Sequence, residues 1–137
     1  MPARSPDEVP LLFAEAFTAH DLQSAIALYE PQAALVPQPG EIVTGTEAIR
    51  EVLSAFFAME PAFDLEVRKV FRAGDIALVF ADWSLTGTGP EGETVSMSGQ
   101  TSDVLRQQPD GSWLFVIDNP YGHGGAVTPG EVGIPEG

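Results

Sequence analysis

The chain of 137 residues contains no cysteine, and this absence excludes several kinds of chemistry at once. Disulfide bonds, thiolate metal sites and cysteine nucleophiles all require a residue that the sequence does not have. Histidine is almost as scarce, since His20 and His123 are the only two and lie far apart along the chain. Neither has a partner at the spacing of metal ligands, so we expect no zinc site and no cofactor.

Basic residues are also few. Six lysines and arginines stand against twenty acidic residues, which gives a formal net charge of −14. Such a surface repels the phosphates of nucleic acids and anionic lipids, so we expect neither nucleic acid nor membrane as a partner. No apolar run approaches the roughly 20 residues that span a bilayer. The first ten residues, MPARSPDEVP, lack the apolar segment of a secretory signal, and we expect a cytoplasmic protein.

Helix signals come first along the chain and strand signals follow. Helical spacing of apolar residues predicts three helices, which start near Ser5, Asp21 and Thr46. The second is expected to carry Tyr29 on its inner side and to stop at Pro31. Short strands are predicted at residues 33–36 and 41–44, and longer ones from residue 63, at 76–86 and at 93–107, with a bulge near residues 68–69. This order predicts an α+β fold with one domain over residues 1–120, followed by a Gly/Pro-rich tail over residues 121–137.

The end of the domain, residues 99–120, has the pattern of a β-hairpin with two carboxylates. The sequence QPDG at 108–111 is typical of a type I turn followed by a left-handed glycine. If Gln107 lies opposite Ser112, residues that face each other share one side of the sheet. That side then carries Asp103, Leu105, Leu114, Val116 and Asp118, and Trp113 lies on the other side, where it can serve a dimer interface.

Two acids on a largely apolar face indicate a ligand pocket with shifted pKa values. Other interpretations stay open for both residues. Asp118 stands in the sequence Asp-Asn-Pro, where an aspartate often caps a turn. Asp103 can lie at a solvated sheet edge. A one-residue slip of the register moves each acid to the opposite face.

Four phrases in order resemble a known family: AFTAHDLQSAIALYEPQAALVPQPG, VTGTEAIREVL, AGDIALVFADWSLTGT and TSDVLRQQPDGSWLFVIDNP. They are similar to the SnoaL-like and ketosteroid-isomerase-like branch of the nuclear-transport-factor-2-like superfamily, over about residues 9–120. The resemblance implies a cystatin-like half-barrel, in which a conical, curved, mixed or antiparallel sheet of about six strands has three N-terminal helices over its concave face. It also implies a homodimer packed through the sheet.

The resemblance can be carried over position by position. The general base of the ketosteroid isomerases falls at Pro37 or Gln38, neither of which abstracts a proton, and their tyrosine falls near Phe13. Their protonated aspartic acid falls on Asp103. Two of three groups are therefore missing, and the chain does not match a ketosteroid isomerase. The Asp-Arg-Asp set of epoxide hydrolases of this fold fits poorly, because Arg106 is expected on the face opposite both acids.

SnoaL-type cyclases need only an aspartate acid/base in an apolar pocket, and Asp103 or Asp118 can fill that role. The first hypothesis is therefore a proton-transfer enzyme of isomerase, cyclase or dehydratase type, acting on a small apolar carbonyl or hydroxyl compound. The alternative is a non-catalytic ligand-binding or assembly domain of the same fold. Which acid donates and which accepts is left open. The candidate substrate-binding residues are Trp83, Thr101, Phe13, Phe17, Phe56, Leu105, Val116 and Asn119.

Overall fold

The computed structural model describes residues 2–122, so the predicted tail lies outside the described residues except for Tyr121 and Gly122. The elements follow one another as α1 (Glu8–Thr18), α2 (Leu22–Ile26), β1 (Tyr29–Leu35), β2 (Val43–Thr44), α3 (Thr46–Phe57), β3 (Ala62–Ala73), β4 (Ile76–Thr88), β5 (Thr94–Gln100), β6 (Asp103–Gln107) and β7 (Trp113–Asp118). The α+β prediction is confirmed. No helix of the described part is long and apolar enough to cross a bilayer.

The seven strands form one curved sheet in the order β2-β1-β7-β6-β4-β3. Strand β5 pairs with the second half of β4, and β6 pairs with its first half, so both follow the same edge of that strand. The single long strand predicted over 93–107 is thus divided at residues 101–102. Strands β1 and β7 are parallel, and the other pairs are antiparallel.

The core lies between the concave face of the sheet and helices α1 and α3. Along β4, alternate residues are buried, because successive side chains of a strand point to opposite faces. These inward residues are Ala77, Val79, Ala81, Trp83 and Leu85. From the helices, Val9, Phe13, Phe17, Ile49 and Leu53 pack against them. The predicted inner stripes of both helices are therefore the buried ones.

The starts of the helices are only partly as predicted. Asp21 caps α2, and its carboxylate accepts the Ser24 N–H at 3.1 Å. Helix α1 has no side-chain cap, because the Ser5 hydroxyl donates to Asp7 instead. Helix α3 begins at Thr46, as predicted, after a positive-φ glycine and likewise has no side-chain cap, so the expectation that Ser5 and Thr46 cap their helices is wrong.

The predicted bulge in β3 and the predicted end of the second helix differ in outcome. The bulge near residues 68–69 is confirmed, since the pairing of β3 with β4 shifts between Val67 and Lys69. The predicted end of the second helix is wrong, because that helix stops at Ile26 and Tyr29 opens β1 instead. Pairing with β7, where Tyr29 lies beside Phe115, overrides the helical spacing of its apolar neighbours.

The predicted hairpin exists, but its register is one residue off. Gly111 has φ +90°, its N–H donates to the Gln108 carbonyl at 2.9 Å, and the Gln108 N–H donates to the Ser112 carbonyl at 2.7 Å. A type I turn followed by a left-handed glycine closes a three-residue loop, so Gln108, and not Gln107, faces Ser112. Leu105 therefore faces Phe115 rather than Leu114.

A bulge in β7 then changes which residues face inward. Leu105 pairs with Phe115 and Val104 pairs with Ile117, so Val116 is an extra residue without an opposite. Before the bulge, Trp113 and Phe115 are the buried residues of this strand, and after it Asp118 is. The expectation that Trp113 lies on the outer face is wrong, and its side chain is fully buried beneath the Arg72 guanidinium.

Candidate active site

A cavity opens between the concave face of the sheet and helices α1 and α3, and its free volume is about 70 Å³. Its lining residues are Pro10, Phe13, Phe17, Leu35, Val36, Pro37, Leu53, Phe56, Phe63, Leu65, Trp83, Leu85, Thr101, Asp103, Phe115, Asp118, Pro120 and Tyr121. Most are apolar or aromatic. Within residues 2–122, no lysine, arginine or histidine lines it, so no cation of the described part faces the two acids across this space.

Asp103 and Asp118 lie side by side on one wall of the cavity. Asp103 is the first residue of β6 and Asp118 is the last residue of β7, and the Val116 bulge turns Asp118 to the inside. Asp103 is 2% exposed and Asp118 is 7% exposed. Each carboxyl group therefore lies in the electrostatic field of the other, and a state in which one of them carries a proton avoids the repulsion of two buried charges.

Each carboxyl group also has partners of its own. Asp103 accepts the main-chain N–H of Asn119 at 2.9 Å. Asp118 accepts the phenolic hydroxyl of Tyr29 at 2.5 Å. The pair is therefore held by the segment that follows β7 and by β1.

Burial controls the acidity of the pair. Desolvation raises the pKa of Asp103 well above its ordinary value, and the neighbouring charge of Asp118 raises it further. Desolvation also raises the pKa of Asp118, but the hydrogen bonds from Tyr29 and Asp103 act in the opposite direction. The two groups titrate as one coupled unit. At neutral pH, the arrangement can offer a proton donor and a proton acceptor within one apolar cavity.

The structure brings together five of the eight predicted substrate-binding residues. Trp83, Thr101, Phe13, Phe17 and Phe56 line the cavity. The Trp83 indole N–H donates to the Pro120 carbonyl at 2.6 Å, so this edge of the ring is occupied and its face remains for a ligand. The Thr101 hydroxyl also has a partner, since it accepts the Ala81 N–H at 3.0 Å.

The other three residues lie outside the cavity lining. Leu105 is fully buried in the core behind the cavity wall. Val116 is the bulge residue, and the strand turns it away from the inner face. The Asn119 side chain donates to the Gly122 carbonyl at 2.8 Å, and only its main chain reaches the acid pair. Arg106 is exposed and pairs with Glu30 at 2.9 Å, on the face away from the acids as expected.

Two tyrosines at the site do not appear among the predicted residues. Tyr29 is buried behind Asp118, and Tyr121 lines the cavity and donates to the Pro37 carbonyl at 2.9 Å. Tyr121 follows the acid hairpin directly and was predicted to lie in the tail. The available signal near Tyr29 is Pro31, because the residue directly before a proline, here Glu30, favours extended structure over helix. Pro37 and Phe13, where the resemblance places the base and the tyrosine of the ketosteroid isomerases, both lie on the cavity wall.

Within residues 2–122, no three histidine, cysteine, aspartate or glutamate side chains converge as metal ligands do. The sequence model of the SnoaL-like domain matches residues 12–115. The chain belongs to the SnoaL-like domain family. Since this family's fold carries many different activities, the membership identifies the architecture and leaves the reaction to the residues of the cavity.

Solved structures place the SnoaL-like chain in the same fold. A ketosteroid isomerase-like protein from Erwinia carotovora atroseptica is 23% identical over 82% of this chain and 88% of its own, with a TM-score of 0.70. A candidate dehydratase of the nuclear transport factor 2-like family from Streptomyces avermitilis is 20% identical over 82% and 90%, also at 0.70. A nuclear transport factor 2-like superfamily protein from Salmonella enterica serovar Typhimurium is 18% identical over 88% and 89%, again at 0.70. No curated protein matches the sequence.

Proposed function

We propose that this SnoaL-like protein is a proton-transfer enzyme of the isomerase, cyclase or dehydratase type. The observation that carries the proposal is that Asp103 and Asp118 lie side by side, both buried, on the wall of an apolar cavity that no lysine, arginine or histidine among residues 2–122 lines. Burying two carboxyl groups together is costly unless they share a proton, and it is the usual way in which a protein obtains an acid and a base near neutral pH.

The substrate class follows from the cavity wall. Aromatic and aliphatic side chains form most of it, and the free hydrogen-bonding capacity is concentrated at the acid pair, because Thr101 and Trp83 already have partners. A ligand is therefore apolar with one carbonyl or hydroxyl directed at Asp103 and Asp118. The free volume of about 70 Å³ is below the ~300–1,000 Å³ of drug-sized pockets, which favours a small compound.

The working form is proposed to be a cytoplasmic homodimer. Apolar residues cross the outer face of the sheet on four adjacent strands: Phe71, Leu78, Phe80, Val104 and Ile117. Phe71 is 56% exposed and Ile117 is 38% exposed, so this face has apolar surface that a second copy can cover. Sedimentation velocity measures the oligomeric state, and a monomer mass at micromolar concentration contradicts this part of the proposal.

The first test is an NMR titration of the carboxyl carbons of Asp103 and Asp118, with exposed Asp110 as an internal control. We expect one step of the pair well above ~4, the ordinary value for aspartate. If both carbons titrate like Asp110, the acids do not share a proton and the proposed function is wrong.

The second test measures catalysis directly. Deuterium uptake at the carbon next to the carbonyl of cyclopentanone, followed by proton NMR in D₂O, is a reaction that an acid–base pair accelerates. We expect Asp103→Asn and Asp118→Asn each to lower the rate by ~10²–10⁴-fold, the usual contribution of a placed acid or base. The matched control is Asp110→Asn in the turn of the same hairpin, which leaves the rate unchanged.

The second candidate function is a non-catalytic ligand-binding domain, and the small free volume favours it. This alternative predicts that the two acids share a proton in the NMR titration. It also predicts that the native chain takes up deuterium into cyclopentanone no faster than the Asp103→Asn variant does. Binding of cyclopentanone, detected through the fluorescence of Trp83 on the cavity wall, without any exchange is the result that selects this alternative.

A further inference from the structure

Tyr29 is the buried group closest to the acid pair that the proposed reaction does not yet use. It lies at the start of β1, beside Phe115 of β7, and its ring packs against Phe13 and Phe115 with centroid distances of 6.3 and 4.9 Å. Its side chain is not part of the cavity lining, so its hydroxyl meets Asp118 from behind, on the side away from a ligand. It therefore contacts the acid and not the substrate.

The partners of the two aspartates are not equivalent. Asp118 accepts a phenolic hydroxyl at 2.5 Å, whereas Asp103 accepts an amide N–H at 2.9 Å. A phenol is the more acidic of these donors and stabilises a carboxylate more strongly. Asp103 is also the more deeply buried of the two, and burial favours the neutral form. Both differences favour a charged Asp118 and a neutral Asp103.

We propose that Tyr29 is a positioning residue that keeps Asp118 as the carboxylate and so leaves the shared proton on Asp103. This inference rests on the proposed function and deepens it, because it assigns the two roles: Asp103 is the acid and Asp118 is the base. The neutral phenol remains a donor throughout, since desolvation and the charge of Asp118 raise its pKa well above the ordinary value for tyrosine.

The assignment gives a balanced sequence of proton transfers. A substrate carbonyl oxygen replaces Asp118 as the acceptor of the Asp103 proton, and Asp118 thereby loses one donor and becomes a stronger base. Asp118 takes a proton from the adjacent carbon, the C–H electron pair forms the C=C bond, and the carbonyl oxygen takes the Asp103 proton to give an enol. Return of a proton from Asp118 to carbon, and of the hydroxyl proton to Asp103, restores both residues.

The test uses a convenient property of the chain, which contains only two tyrosines, Tyr29 and Tyr121. Tyr29→Phe removes the donor to Asp118, and Tyr121→Phe removes the other phenolic hydroxyl, whose partner is the Pro37 carbonyl. Among residues 2–122, the groups that face Asp118 and titrate or carry charge are Asp103, Tyr29 and Tyr121. Carboxyl-carbon titration in both variants separates the effect of Tyr29 from a general loss of packing.

In Tyr29→Phe we expect the lower titration step of the pair to rise by about one to two pH units, the value of a hydrogen bond to a charged group. In Tyr121→Phe we expect that step to stay in place. In the exchange assay of Tyr29→Phe, the acidic limb of the pH–rate profile moves up with the titration and KM stays constant. An unchanged lower step in Tyr29→Phe, or an equal shift in both variants, overturns the inference.

A second measurement keeps the inference testable if Tyr29→Phe does not fold. Growth of the Tyr121→Phe chain on 3-fluorotyrosine places a single, more acidic phenol at position 29, with almost no change in size. The stronger donor lowers the first titration step of the pair, which is the opposite direction from Tyr29→Phe. No movement, or movement upward, overturns the inference. If the chain catalyses exchange but the titration of the acid pair responds neither to Tyr29→Phe nor to fluorotyrosine, the proposed function stands and the role of Tyr29 is wrong. If the titration responds but the chain catalyses no exchange, the role of Tyr29 stands and the proposed function is wrong.

Discussion

The two ends of the β6–β7 hairpin place the same residue type in opposite electrostatic states. At the turn, Asp110 is exposed, and hydrogen bonds from the Ser112 hydroxyl at 2.6 Å and its N–H at 2.9 Å lower the pKa of the carboxyl group. At the open end, burial raises the pKa of Asp103 and Asp118 although both also accept hydrogen bonds. Seven residues separate Asp103 from Asp110.

The comparison shows that hydrogen bonding alone does not decide the charge of an aspartate in this protein. Water remains available to Asp110, so two donors are enough to favour its ionised form. Asp103 and Asp118 have lost water, and their donors offset only part of the desolvation. In the function proposed above, a proton shared between them meets the remaining cost, whereas the exposed Asp110 accepts hydrogen bonds within the turn.

The largest expected effect breaks the comparison at the buried end and is measured as stability against pH. With a raised pKa, folded Asp103 binds more protons than unfolded Asp103 from about pH 3.8 up to its folded pKa. The free energy of unfolding therefore falls as pH rises through that window, by at most ~1.4 kcal/mol per pH unit for one proton. Asp103→Asn has no such proton, so its stability relative to the native chain increases with pH.

Urea unfolding between pH 4.5 and 7.5 measures this difference. Two parallel stability curves would show that Asp103 is already ionised across the whole range. Asp110→Asn is the matched control, and its difference from the native chain has no slope above pH 4.5. The pKa of Asp110 in the folded chain is lowered below 3.8, so the stability that this carboxylate contributes is fully present above pH 3.8. It is lost only as the pH falls through the folded pKa, which lies outside the measured range.

A smaller effect is expected from Gly111→Ala, which disturbs the turn end alone. Gly111 has φ +90°, a conformation that costs an L-residue ~1–2 kcal/mol. We expect a loss of unfolding free energy of this size, without any shift in the carboxyl titration of Asp103 and Asp118. If the pair shifts as well, the two ends of the hairpin are coupled and the comparison loses its basis.

The smallest effect is expected from Ser112→Ala. The variant removes the hydroxyl donor to Asp110 but keeps the main-chain N–H. The titration of the Asp110 carboxyl carbon should move up by a fraction of a pH unit toward 3.8, and that of Asp103 should not move. An unchanged Asp110 would indicate that the N–H bond alone lowers its pKa.

Local patterns predicted most of the fold correctly. The helical spacing in α1 and α3, the helix start at Asp21 and the bulge near residues 68–69 depend on neighbouring residues, and each can be read from a short window. The pair of residues that closes the hairpin depends on whether the loop has four residues, as predicted, or three, as observed. That difference moved Leu114 out of the predicted inner face and brought Phe115 into it.

The inward position of Asp118 was reached by two errors that cancel. The predicted register was off by one residue, and the Val116 bulge, which no local signal marks, shifts the strand back by one. Tyr29 was assigned to a helix because its spacing from Leu22 and Ile26 is helical, whereas pairing with β7 decides its place. Register and long-range pairing are tertiary properties, so a single sequence constrains them weakly.

The short stretch after β7 has a consequence for mutational studies. Asp103 is held by the amide N–H of residue 119, and Trp83 is held by the carbonyl of residue 120, so both supports come from the peptide backbone. Replacing Asn119 by alanine keeps that N–H, and an alanine scan therefore passes over this support. Only proline at position 119, or a change in chain length, removes it, so natural sequences can vary their side chains here and still retain the acid pair.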